Sequence, residues 1–178
     1  MMNSRGSLQV STDVETRKQP LAGRGAWLIA TFFGAGRLPL APGTWGSAAT
    51  VLIWFVLTRW IRPGWQPGFA LGLATLATVV GIPAATRVAR ETGIKDPQFV
   101  VIDEVVGQFI TLIAVPVSWK TLLLGFILFR VLDTTKPPPV RQLERLPEGT
   151  GIVLDDIGAG LYALLIMQLI LHYGVVGR

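Results

Sequence analysis

The chain has no cysteine and only one histidine, His172, among its 178 residues. Without cysteine there is no disulfide, no thiolate nucleophile and no cysteine-ligated metal site. His172 lies at the far end of the last apolar segment, away from the clustered acidic residues, which excludes a histidine nucleophile working beside them. These absences leave carboxylates as the groups best suited to bind a metal.

Charged residues are also scarce. They make up 15% of the chain, against about 25% in an average globular protein, while 51% of the chain is hydrophobic and the mean hydropathy is +0.52. Long apolar runs separated by short polar clusters are typical of a polytopic membrane protein. The first 25 residues are rich in Ser, Thr, Arg and Gln, so we expect a mobile polar tail over residues 1–25 and one membrane-embedded domain over residues 26–178.

Apolar segments predict an all-α fold, a polytopic helical bundle in the membrane with about five spans. The five segments are Trp45–Thr58, Phe69–Ala85, Val105–Val115, Thr121–Leu132 and Ile157–Tyr173. A straight span needs about 20 residues, so the third and fourth segments are short. A short or re-entrant hairpin over residues 100–133 is the competing interpretation.

The distribution of Lys and Arg predicts the orientation of these segments. Twelve of the 16 basic residues precede the first segment, lie between segments two and three, or lie between Arg130, near the end of segment four, and the start of segment five. By the positive-inside rule, the N-terminus is then cytoplasmic and the C-terminus outside. Most acidic residues fall on or next to the cytoplasmic ends of the last three segments.

Five of those acidic residues predict a metal site. They come from three distant stretches and are Asp103, Glu104, Asp133, Asp155 and Asp156. Carboxylates gathered at one membrane face repel one another unless a hard divalent cation holds them, and oxygen ligands suit Mg²⁺. Simpler interpretations stay open for each group alone: a helix N-terminus for the adjacent pairs, and an ion pair of Asp133 with Arg130.

Basic residues near these acids suggest a phosphate ester as the ligand. Arg130, Lys136 and Arg141 surround a run of three prolines, which is expected to be stiff and to hold the cations extended. Near the first segment, "GTWGS" places Thr44 among small residues at a helix start, where backbone N–H groups favour an anion. An ordinary helix cap is the alternative for that turn.

Four ordered stretches, "APGTWGS", "KDPQFVVIDEVVGQFITL", "FRVLDTTKPPPVRQLER" and "GTGIVLDDIGAG", together resemble the phosphatidylglycerophosphatase A family of membrane phosphatases. The resemblance runs from Gly34 to the last segment. It implies Mg²⁺-dependent hydrolysis of phosphatidylglycerophosphate to phosphatidylglycerol, in phospholipid biosynthesis at the cytoplasmic face of the bacterial inner membrane. The implied partners are the phospholipid substrate and the membrane, with no nucleic acid.

The resemblance also implies roles for individual residues. Catalytic residues are expected at Asp103, Glu104, Asp133 and Asp156. Metal ligands are expected at the same four positions and at Asp155, and substrate-binding residues at Thr44, Arg130, Lys136 and Arg141. The preferred mechanism is attack of a metal-activated water on phosphorus, with a second metal, or Arg130 and Lys136, neutralising the developing charge.

Other chemistries remain as alternatives. "ILFRVLDTTK" resembles a strand followed by an aspartyl nucleophile, although the alternating strands and helices of haloacid-dehalogenase-type phosphatases are absent from the sequence pattern. A membrane phosphotransferase of the CDP-alcohol type requires an Asp-Gly-x-x-Ala-Arg motif, which does not occur in the sequence. A cation transporter would carry acids near the middle of its spans, and these acids lie at segment ends.

Overall fold

The computed structural model describes residues 23–174. Within this range the fold contains helices and no strand, which confirms the all-α prediction there. The helices are α1 (Arg24–Ala30), α2 (Pro42–Leu57), α3 (Gln66–Thr92), α4 (Ile102–Thr111), α5 (Trp119–Thr135), α6 (Val140–Leu143) and α7 (Glu148–His172), with short 3-10 turns at Ala35–Arg37 and Pro63–Trp65. The predicted tail lies almost wholly outside the described residues.

Helix α4 forms the centre of the bundle and packs against α2, α3, α5 and α7. Every one of its residues is buried except Glu104, which is half-buried. Its 10 residues rise about 15 Å, roughly half the thickness of a bilayer's hydrocarbon core. The third predicted segment is therefore a short core helix, followed by a loop and the longer α5.

The crossing of α4 and α7 depends on two glycines. A Cβ atom at Gly160 would lie 2.5 Å from the carbonyl oxygen of Gly107 and 3.0 Å from its Cα. A Cβ atom at Gly107 would overlap the Phe129 ring and lie 2.6 Å from the backbone oxygen of Asp156. Small residues let helix backbones approach closely in membrane proteins. This contact sets the distance between the first turn of α4 and the acidic part of α7.

Two helical stretches in the described part of the chain are long and apolar enough to cross a membrane, Pro63–Thr92 and Glu148–His172. Helix α2 is apolar but shorter. The outer faces of the bundle expose large apolar side chains, as membrane-embedded helices do; examples on α2, α3, α5 and α7 are Leu52, Leu71, Val79, Ile127, Leu161 and Leu165.

Candidate active site

A polar cavity of about 290 Å³ opens where α2 and α4 begin and α5 ends. It is lined by Leu40, Ala41, Pro42, Gly43, Asp96, Gln98, Val100, Asp103, Glu104, Arg130, Asp133, Lys136, Asp155 and Asp156. All five acids predicted from the sequence are in this lining, and so are two of the four predicted substrate-binding residues, Arg130 and Lys136. The other two, Thr44 and Arg141, are not.

Three of these carboxylates form a compact group. Asp103 and Glu104 stand in the first turn of α4, and Asp156 reaches the same point from α7. One ligand oxygen from each lies within 4.8 Å of the other two. In each residue a buried oxygen, Oδ1 of Asp103, Oε2 of Glu104 or Oδ2 of Asp156, accepts no hydrogen bond within the described part of the chain.

That arrangement suits a cation better than a purely structural role. Buried carboxylates repel one another and lose hydration energy, and both costs are large unless an opposite charge compensates them. Since no described residue donates a hydrogen bond to these oxygens, they are free to bind a ligand that carries positive charge. A hard divalent cation has that property, and carboxylate oxygens are its preferred ligands.

The remaining two predicted acids are paired with the cavity's cations. Arg130 Nη1 donates to Asp133 Oδ2 at 2.7 Å, and Glu104 Oε1 lies 3.7 Å from the same nitrogen. Lys136 Nζ donates to Asp155 Oδ2 at 2.6 Å. Asp133 and Asp155 thus hold the two basic side chains beside the three-carboxylate group, which contains neither of them.

Lys136 is the residue directly after α5 and caps its C-terminus with a left-handed backbone conformation (φ 44°). Burial opposes its charge, but the hydrogen bond that it donates to Asp155 and the charges of the nearby acids outweigh burial and raise the pKa of Lys136 above its ordinary value. The lysine is therefore cationic at neutral pH. In the same cavity, partial desolvation by the surrounding protein raises the pKa of Asp96 above its ordinary value, although the residue as a whole is exposed.

Gly43 allows the start of α2 to touch the acidic group. A Cβ atom there would collide with Glu104 Oε1 and lie 2.9 Å from Glu104 Cδ and 3.1 Å from Arg130 Nη1. The helix start thus lies at the cavity, as the anion hypothesis for this turn requires. The two hydroxyl groups of this turn do not line the cavity. Ser47 Oγ is buried and donates to the Gly43 carbonyl oxygen at 3.0 Å, and Thr44 is half-buried outside the lining.

Two local expectations differ from the structure. Helix α7 begins at Glu148, well before the predicted Ile157, so Asp155 and Asp156 lie two turns inside it and do not cap it. The glycines at 149 and 151 make this possible, because a Cβ at either would overlap neighbouring backbone. The three prolines form a turn, closed by the Val140 N–H donating to the Pro137 carbonyl at 2.8 Å. That turn leads into α6 and leaves Arg141 exposed.

Sequence reasoning missed two segments that line the cavity. Asp96, Gln98 and Val100 come from the loop before α4. Leu40 and Ala41 come from the loop before α2, and Pro42 is the first residue of α2. The signal for Asp96 was its place beside the acidic motif in "KDPQFVVIDE". No local pattern marks Gly43 as a neighbour of Glu104, since the contact joins distant parts of the chain.

Comparison with known proteins identifies the relatives of this chain. The family model described as phosphatidylglycerophosphatase A matches residues 28–171. Phosphatidylglycerophosphatase A of Escherichia coli (strain K12) is 37% identical over 152 residues, covering 84% of this chain and 86% of that protein. The Haemophilus influenzae protein of the same name is 35% identical over 148 residues, covering 82% of this chain and 88% of its own length.

A third relative carries another name. A Bacteroides thetaiotaomicron protein, provisionally named a phosphatidylinositol-3-phosphatase, is 37% identical over 143 residues, covering 79% of this chain and 89% of that protein. No solved structure matches the chain. The family match over most of the chain confirms the resemblance seen in the sequence motifs, and the chain belongs to the phosphatidylglycerophosphatase A family.

Proposed function

We propose that this protein is a Mg²⁺-dependent lipid phosphatase that hydrolyses phosphatidylglycerophosphate to phosphatidylglycerol and phosphate. The observation that carries the proposal is the cavity in which three carboxylates lie beside two ion-paired basic residues, and each carboxylate has a buried oxygen that accepts no hydrogen bond in the described part of the chain. The names of the two phosphatidylglycerophosphatase A relatives support the substrate. The enzyme class is that of phosphoric monoester hydrolases.

Asp103, Glu104 and Asp156 are the residues that would hold Mg²⁺, because their oxygens are close together and unsatisfied. A bound Mg²⁺ would supply a Lewis acid for the phosphate and would lower the pKa of a bound water. Asp133 and Asp155, which we also expected to be ligands, act on the neighbouring cations in this proposal. Each keeps a basic side chain turned into the cavity.

Arg130 and Lys136 bind the phosphate group of the substrate in this proposal. Arg130 has five N–H donors and uses Nη1 on Asp133, so other donors are free to grip phosphate oxygens. Lys136 adds a compact charge fixed by Asp155. Both would stabilise the negative charge that grows on the phosphate oxygens in the transition state.

The orientation proposed is a multi-pass protein of the bacterial inner membrane, with the cavity facing the cytoplasm. Helices α2, α4 and α7 run away from the cavity end, and α3 and α5 run toward it, which agrees with alternating passes. Tryptophans support two interface levels: Trp45 near the cavity end, and Trp60, Trp65 and Trp119 near the other end, all exposed. Helix α4 alone would be too short to cross the membrane, and the loop between α4 and α5 would complete that pass to the level of Trp119.

The test is phosphate release by the purified, detergent-solubilised protein. We expect turnover of phosphatidylglycerophosphate with Mg²⁺, its loss with a chelator, and recovery when Mg²⁺ is restored. Phosphatidylinositol 3-phosphate is the comparison substrate, because the third relative is named for it. Faster turnover of phosphatidylinositol 3-phosphate would show that the preferred substrate has an inositol head group instead of a glycerol head group. No phosphate release from either lipid would reject the phosphatase in favour of the phosphotransferase or transporter alternatives.

A further inference from the structure

An apolar groove of about 350 Å³ lies between α2 and α5 on the outside of the bundle. Ala48, Val51 and Phe55 of α2 form one wall, and Trp119, Leu123 and Phe126 of α5 form the other. Every residue lining the groove is apolar or aromatic. A hydrocarbon chain therefore fits its chemistry.

The groove lies on the same two helices, α2 and α5, whose cavity-side ends line the polar cavity. Gly43, at the start of α2, and Arg130, near the end of α5, both line the cavity and lie against each other. Moving along the helices, Ala48 is about 7.5 Å beyond Gly43, and Phe126 is about 6 Å beyond Arg130. From there the groove extends about 10 Å farther, to Phe55 and Trp119. A molecule with a phosphate in the cavity and a tail would meet this groove first.

A second apolar groove, of about 530 Å³, lies on the other side of α2 and is lined by residues such as Ala49 and Ile53. Its route to the cavity is closed. Gly46 packs so tightly on Val101 that a Cβ atom at Gly46 would lie 2.9 Å from Val101 Cβ. The two sides of α2 therefore differ in their access to the acidic group.

We propose that one acyl chain of the phosphatidyl substrate lies in the α2–α5 groove while its terminal phosphate is in the cavity. This inference rests on the phosphatase function proposed above. The chain comes from the bilayer, where its surroundings are already apolar, so the groove adds little binding free energy. Its contribution is to fix the depth and orientation of the head group, and correct positioning of the phosphate raises the rate of reaction.

A matched pair of substitutions on α2 tests the groove. Ala48→Phe fills the groove on the α5 side, whereas Ala49→Phe puts the same side chain into the closed groove. Each variant is assayed in one detergent with dioleoyl and with water-soluble dihexanoyl phosphatidylglycerophosphate. We expect Ala48→Phe to lower the ratio of kcat/KM for the long-chain to the short-chain lipid at least tenfold, and Ala49→Phe to leave that ratio within twofold of wild type.

Equal ratios in the two variants would overturn the proposal. If Ala48→Phe does not accumulate as folded protein, Leu123→Trp fills the same groove from α5 and is expected to lower the same ratio at least tenfold.

Cross-linking of the wild-type protein with a mid-chain diazirine substrate gives a second readout. We expect adducts on α2 and α5 that unlabelled substrate suppresses; adducts only on α3 and α7, or adducts that it does not suppress, would contradict the groove. Phosphate release by wild type from neither lipid would reject the phosphatase itself, and the adduct map would still decide the groove.

Discussion

Replacement of Gly43 by alanine tests whether the geometry of the carboxylate group controls catalysis. The new methyl group would collide with Glu104 Oε1 and would lie 2.9 Å from its carboxyl carbon, whereas ordinary contacts begin near 3.4 Å. Arg130 Nη1, 3.1 Å away, blocks one direction of escape. Glu104 Oε1 must therefore move by more than about 1 Å relative to Asp103 and Asp156.

The expected cost follows from that displacement. A misplacement of about 1 Å in an active site can cost about 100-fold in rate. A shift of at least that size should lower kcat/KM by about 100-fold or more, which is about 2.7 kcal/mol or more of transition-state stabilisation. The Mg²⁺ concentration needed for half-maximal activity should rise in parallel, because the same carboxylate is a proposed ligand.

Gly72→Ala is the matched control. A Cβ atom at Gly72 meets nothing within 4 Å, and the residue lies inside α3, far along the chain from the cavity residues. Alanine should stabilise that helix by up to about 1 kcal/mol and leave phosphate release unchanged. The assay is phosphate release over a Mg²⁺ titration, with thermal unfolding in detergent recorded for both variants. Wild-type kcat/KM and Mg²⁺ dependence in folded Gly43→Ala protein would refute the assigned geometry.

Three further predictions concern the ligands, the cations and the orientation. Asp156→Asn should reduce kcat at least 100-fold and weaken the Mg²⁺ response, and near-wild-type turnover at limiting Mg²⁺ would remove this residue from the metal site. Arg130→Lys should lower kcat/KM more than Lys136→Arg, because lysine lacks the planar fork that grips phosphate; equally mild effects would indicate a structural role for both. In right-side-out spheroplasts, an impermeant maleimide should label the exposed Gly64→Cys and spare the exposed Lys95→Cys, and the reverse pattern would place the cavity outside.

The helical class and the acidic face were predictable because hydrophobic periodicity and motif spacing are local properties of the chain. Each of the five segments overlaps a helix, although the third continues past the end of α4 into the loop, and Asp103 and Glu104 stand in the first turn of α4 as expected. The start of α7 was not predictable from hydropathy. Its first turns are polar and glycine-rich, and they are helical because Gly149 and Gly151 pack against α3 and the preceding loop.

The sequence also does not predict which acidic residues pair with basic side chains and which form the three-carboxylate group. Asp133 is three residues from Arg130, and the ion-pair alternative for it was visible in the sequence. Asp155 pairs with Lys136, 19 residues away, through a turn that brings the end of α5 over α7. Which of two adjacent aspartates faces a lysine and which faces α4 depends on the rotation of α7. The glycine contact with α4 fixes that rotation.

The contact between Gly107 and Gly160 also affects the size of the ion that the proposed site would select. The proposed ligand oxygens of α4 and α7 face each other across a crossing where backbone touches backbone at Gly107 and Gly160. A larger residue at either glycine would therefore widen the gap between them. Mg²⁺ requires oxygen distances of about 2.0–2.1 Å, whereas Ca²⁺ takes about 2.3–2.6 Å and more ligands. Discrimination between the two ions would then depend on how closely two helices approach, and a change of metal preference could arise far from any ligand.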